Sequence, residues 1–121
     1  MLDGGLHCEK DPSGIDQHEA GAKLDAGKPD TSLLLMFGKA LLAVAEVGTY
    51  GAKKYSRGGW QEVGNGVPRY TAALLRHLFK SFYENYDPDT GLLHLAQVAW
   101  NALAIVELTL REREDAQTDK G

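Results

Sequence analysis

Apolar residues gather into three long stretches, separated by glycine-rich or proline-marked polar segments. Leu33 to Phe37 and Ala40 to Ala45 are dense in apolar side chains, and Thr31 or Ser32 can cap a helix there. Gly48 and Gly51 mark its end, which predicts a first helix over about 32–50. Leu75, Leu78 and Phe82 share one helical face that Leu74 widens, and Pro68 suits a first turn. A second helix is predicted over about 68–86. Asp87-Pro88-Asp89-Thr90-Gly91 reads as a turn, with Asp89 or Thr90 able to cap a third helix over about 90–114. From Leu92 to Leu110 that helix is apolar almost all round, the pattern of an element buried on more than one side. There is no strand alternation and no internal repeat.

The rest of the chain reads differently. Residues 1–30 carry five glycines and two prolines without apolar periodicity, as an arm does. Residues 115–121 read as a polar tail. The expected architecture is all-α, a three-helix core in residues 31–114 behind a long N-terminal arm. A core this small is marginal alone, so the helices are expected to complete a larger bundle as a homodimer or homotetramer.

Composition and charge narrow the function. At 121 residues, 43% hydrophobic and 25% charged, the chain resembles one soluble domain. A net charge of −4 argues against a broad nucleic-acid surface, so no direct nucleic-acid binding is expected. A single cysteine, Cys8, excludes a disulfide framework and a cysteine-rich zinc finger. Lys39 and Glu46 interrupt one apolar stretch, and His94, Gln97 and Asn101 the other, so no membrane span is expected. Met1 to Glu9 lack the pattern of a signal peptide, which points to the cytoplasm.

Polar residues within the apolar helices carry the chemical information. His94, Gln97 and Asn101, spaced i, i+3, i+7, fall within an arc of about 60° on the third helix. His77, Lys80 and Glu84 repeat that spacing on the second, beside a basic stripe of Arg69, Arg76 and Lys80. Lys39, Glu46, Tyr50 and Lys53 align on the first. Such groups either pair in a structural network across the bundle or line a pocket. A pocket mixing carboxylates, imidazoles and cations suits a divalent metal and a phosphate. Glu46, alone among apolar neighbours, is the leading candidate, against a solvated glutamate at the helix edge. Asp87 and Asp89 are further acidic candidates, Asp89 doubling as a cap. His77 is equally an interface histidine, and Lys53 and Lys54 equally a solvated pair. Trp60, beside Gly58 and Gly59, is read first as an anchor of its loop and second as a base-stacking residue. A Walker loop, a Gly-x-Gly-x-x-Gly turn, a Gly-x-Ser-x-Gly elbow, a His-Asp dipeptide and His-Glu-x-x-His are all missing from the sequence.

Four blocks in order carry a resemblance. They are Gly21-Ala22-Lys23-Leu24-Asp25-Ala26-Gly27-Lys28-Pro29, then Val44-Ala45-Glu46-Val47-Gly48-Thr49-Tyr50-Gly51-Ala52-Lys53-Lys54-Tyr55 with Trp60 after it. Arg76-His77-Leu78 and the run from Asp87 to Ala102 complete the set. Together they resemble a largely phage-borne family, the dATP/dGTP diphosphohydrolase-like N-terminal domain. That family looks related to the all-α MazG-like and MazZ-like nucleotide pyrophosphohydrolases, which cut a nucleoside triphosphate between its α and β phosphates. The chain departs from its relatives at Gln97, where they often have a second histidine, and at Asp30, where they often have arginine. Neither the Glu-x-x-Glu pair nor the later Glu-x-x-Asp pair through which MazG-like enzymes bind magnesium appears intact on the predicted first and third helices.

The resemblance implies a deoxypurine triphosphate substrate and a Mg2+ or Mn2+ cofactor. It implies metal ligands among Glu46, Asp87 and Asp89, with Glu46, His77 and His94 as catalytic groups. Lys23, Lys28, Lys53, Lys54 and Arg76 would offset phosphate charge. Trp60, Gln97 and Asn101 are the candidates for contact with the base.

Overall fold

The computed structural model describes residues 10–120. Three α-helices make up the described fold: α1 (Gly38–Lys54), α2 (Gly66–Lys80) and α3 (His94–Lys120). Short 3-10 turns cover Thr31–Phe37 and Gly59–Glu62. Among the described residues the only β pairing is two isolated bridges, so the fold is all-α as the apolar periodicity predicts. Cys8 and the Met1–Glu9 segment lie outside the described residues. The chain divides into two compact units, with the break between Met36 and Phe37.

The N-terminal unit is built of turns. The Ala26 N–H donates to the Lys10 carbonyl at 2.6 Å, in an isolated antiparallel bridge. The Asp11 carboxylate accepts the backbone N–H groups of Lys23, at 2.6 Å, and Ser13, at 2.7 Å. Those two bonds hold the Asp11 carboxyl below its ordinary pKa. Residues 10–30 are thus locally ordered where an unpacked arm was expected. Asp30, rather than Thr31 or Ser32, supplies a side-chain cap, accepting the Ser32 N–H at 3.1 Å.

The helix boundaries also differ from expectation, for identifiable reasons. The first helical stretch opens as a 3-10 turn, and α1 then runs through Gly48 and Gly51 to Lys54. Gly48 is a packing glycine and no stop signal: a Cβ there would come within 2.6 Å of the Trp100 ring on α3. The second helix begins two residues before Pro68 and ends at Lys80, six residues early. Phe82 and Tyr83 donate instead to carbonyls three residues back, at Phe79 and Lys80, in tightening turns. The third begins only at His94, so neither Asp89 nor Thr90 caps it. It then continues through the segment expected as a polar tail, to Lys120. The Thr31–Lys54 stretch has the length and mean hydropathy of a membrane span. One such stretch near the N-terminus, broken by Lys39 and Glu46, does not establish one.

In the second unit, α3 packs chiefly on α2 and less extensively on α1. The α2 face that meets its neighbours runs through Tyr70, Ala73, Leu74, His77, Leu78 and Ser81, all at least half-covered. Leu75 and Phe82, expected on that face, remain 41% and 73% exposed. The Tyr70 hydroxyl donates to the Trp60 carbonyl at 2.7 Å, tying the Gly59–Glu62 turn to α2. The Trp60 ring meets Trp100 edge-on, centroids 6.3 Å apart, and Arg111 covers it at 5.7 Å. Among the described residues, buried apolar residues are few and small: Val44, Ala96 and Ala104. Leu95, Leu103 and Val106 on α3 stay more than half exposed, so one chain alone does not cover this helix all round.

Candidate metal centre

The buried polar residues of the second unit are His94, Gln97 and Asn101, the three that α3 aligns on one face. His94 is wholly enclosed, at 0% exposure. It sits at the first position of α3, and the loop from α2 folds back to meet it. Tyr86 and Leu93 form an antiparallel bridge, and the Asp87 N–H donates to the Leu92 carbonyl at 2.8 Å. Gly91, at φ +76°, supplies the left-handed residue this reversal needs. The His94 N–H donates to the Asn85 carbonyl at 2.9 Å. The hairpin-like loop therefore carries both Glu84 and Asp87 back to the start of α3.

Three donors converge there. His77 from α2, Asp87 from the loop and His94 from α3 each offer a ligand atom, all within 4.8 Å of one another. The two histidines meet Nδ1 to Nδ1 at 3.1 Å, their rings tilted by 35°. His94 Nε2 points the other way, 2.9 Å from Glu84 Oε1. Burial, and then the neighbouring His94, Lys80 and Arg76, push the His77 pKa below its ordinary value, against an opposing pull from Asp87. His77 is therefore neutral near pH 7, with a lone pair available to a metal or a proton. Two imidazoles and a carboxylate make a donor set that a divalent ion fits.

The other candidates fall in different places. Asp89 is exposed on the turn, its backbone N–H donating to Asp87 Oδ1 at 2.9 Å. Arg76 is exposed beside His77 on α2. Asn101 Nδ2 donates to the Gln97 carbonyl at 2.7 Å and is satisfied within its own helix. Gln97 Nε2 is buried with no hydrogen-bond partner among the described residues. Glu46 is exposed on α1, where it lines a shallow groove of about 320 Å³ with Tyr50 and Lys53. It is not among the donors that converge on His94. Lys54 is exposed at the end of α1, its ammonium 5.3 Å from the ring centre of Tyr55. Lys23 and Lys28 are exposed in the N-terminal unit.

Spacing alone misses Glu84 as a partner of His94. Helical spacing aligns it with His77 and Lys80 on a continuing helix, whereas the chain leaves the helix at Lys80. The signal for its true position was the turn at 87–91, which reverses the chain immediately after it.

No curated protein and no solved structure matches the chain. Residues 18–119 match the family described as dATP/dGTP diphosphohydrolase, N-terminal, which takes in the His77, Asp87 and His94 cluster and every candidate above. The chain belongs to the dATP/dGTP diphosphohydrolase N-terminal family.

Proposed function

We propose that the protein is a metal-dependent pyrophosphohydrolase that converts dATP or dGTP to the monophosphate and pyrophosphate. The observation that carries this reading is the convergence of His77, Asp87 and His94, with Arg76 and Lys80 close enough to act on His77. His77, Asp87 and His94 would hold a divalent ion. Such an ion supplies charge neutralisation on the phosphates and a more acidic water. Arg76 and Lys80 offset further charge as the anhydride breaks. The unpartnered Gln97 Nε2 offers a buried donor one helical turn from His94, suited to a phosphate oxygen or a purine acceptor.

Glu46, Tyr50 and Lys53 are assigned to the same substrate through the groove on α1, which a second copy would complete. The exposed apolar side chains Leu95, Leu103 and Val106 on α3 support a second copy. Lys23, Lys28, Lys53 and Lys54 remain the proposed phosphate contacts beyond the centre, with Trp60 and Asn101 proposed toward the base. The reading places the protein in the cytoplasm, as a homodimer or homotetramer.

Incubation with each deoxynucleoside triphosphate and Mg2+ or Mn2+, resolved by ion-exchange chromatography, tests the proposal. dGMP or dAMP with pyrophosphate is expected. A diphosphate with orthophosphate would place the cut at the wrong bond. The "N-terminal" in the family's description favours one alternative, a nucleotide-binding module without turnover. It predicts a nucleotide-dependent rise in melting temperature and no product.

A further inference from the structure

The bond between Glu84 and His94 decides what the centre presents. His94 Nε2 lies 2.9 Å from Glu84 Oε1, and a carboxylate accepts there, so the ring's proton sits on Nε2. Its Nδ1 is then a lone pair, held 3.1 Å from His77 Nδ1. A wholly enclosed ring with one nitrogen committed to a carboxylate cannot turn to offer the other edge. Such a carboxylate, bonded behind a ligating imidazole, fixes the tautomer and orientation of the ligand. Glu84 can take this role because it stands outside the helix, on the loop that returns to His94.

We propose that His77, Asp87 and His94 form a site for a transition ion of the manganese-to-zinc series in preference to Mg2+, with Glu84 as the positioning residue behind His94. Imidazole nitrogens suit those ions, whereas Mg2+ favours an all-oxygen shell and keeps several waters. The inference deepens the hydrolase reading and rests on it only for the expectation that a metal binds at all. A positioning role for Glu84 predicts a graded effect. Removal of such a partner weakens metal binding by about 10–100-fold without removing a ligand.

The test titrates the full chain, stripped with chelator, with Co2+ and follows the visible absorption. Pulsed electron paramagnetic resonance of bound Mn2+ then reads nitrogen coupling. One Co2+ per chain is expected, with a spectrum of nitrogen ligation. His77→Asn and Asp87→Asn should abolish that spectrum while circular dichroism stays unchanged. Glu84→Gln, which keeps an acceptor oxygen but loses the charge, should weaken Co2+ binding by about tenfold and keep the spectrum. An unchanged Co2+ spectrum in His77→Asn, or equal affinity for Mg2+ and Co2+, would overturn the site. Unaltered affinity in folded Glu84→Gln would overturn the positioning role. Mg2+-supported turnover without Co2+ binding sinks this inference and spares the hydrolase reading. Co2+ held through both imidazoles without turnover does the reverse.

Discussion

Two polar stripes run along this bundle, and they have opposite fates. On α3, His94, Gln97 and Asn101 are buried, and His94 is bonded on both ring nitrogens. On α1, Glu46, Tyr50 and Lys53 face a shallow open groove, and Glu46 forms no ion pair among the described residues. Both stripes look alike in sequence: charged or polar residues at helical spacing in an apolar background. Burial separates them. A polar group enclosed without a partner costs about 1–3 kcal/mol, so His94 and Asn101 rely on their hydrogen bonds while Gln97 Nε2 bears that cost. The α1 stripe stays solvated at no such cost and is free to serve a ligand or a second copy.

The largest effect is expected at His94. His94→Ala should destabilise the fold by about 3 kcal/mol, because it opens a cavity and strands Glu84 and His77. Urea denaturation measures this, and a loss under 1 kcal/mol would mean the network is not structural. Next is the contact that fixes α1 against α3. Gly48→Ala drives a methyl group into the Trp100 ring and should cost about 1–3 kcal/mol, read by the same denaturation.

A smaller effect follows from pH. In the folded, metal-free protein the His77 pKa lies below the 6.5 of an unperturbed histidine. As pH falls through about 6.5, the unfolded chain takes up a proton before the folded one does, so stability declines. Above that range the contribution is fully present. A melting series from pH 7.5 to pH 5 should show the decline, and His77→Asn should flatten it. The smallest stability effect belongs to the outer stripe. Glu46→Ala should leave stability within about 0.5 kcal/mol while lowering dGTP turnover by about tenfold or more. Full activity in that variant would reduce the α1 stripe to a solvated face.

The α3 stripe was legible in the sequence because a regular helix converts spacing directly into direction. The all-α architecture and the turn at 87–91 were legible for the same reason: each is written locally. Glu84 was not, because its approach to His94 depends on where α2 stops and on a reversal several residues later. Gly48 was misread as a stop because its purpose lies across the interface, in Trp100. Leu75 is exposed because α2 turns His77, Leu74 and Leu78 inward, and Phe82 because the chain has left the helix after Lys80. Nothing local distinguishes these from an ordinary amphipathic pattern.

The proposed reaction is attack of water at the α-phosphorus of a deoxypurine triphosphate, and it fixes which product gains the new P–O bond. Turnover of dGTP in water enriched in heavy oxygen, read by mass spectrometry, shows which product carries the label. Label in dGMP is the predicted result, and its loss in His77→Asn would tie the chemistry to the centre. Label in pyrophosphate, or no dGMP at all, would exclude attack at the α-phosphorus.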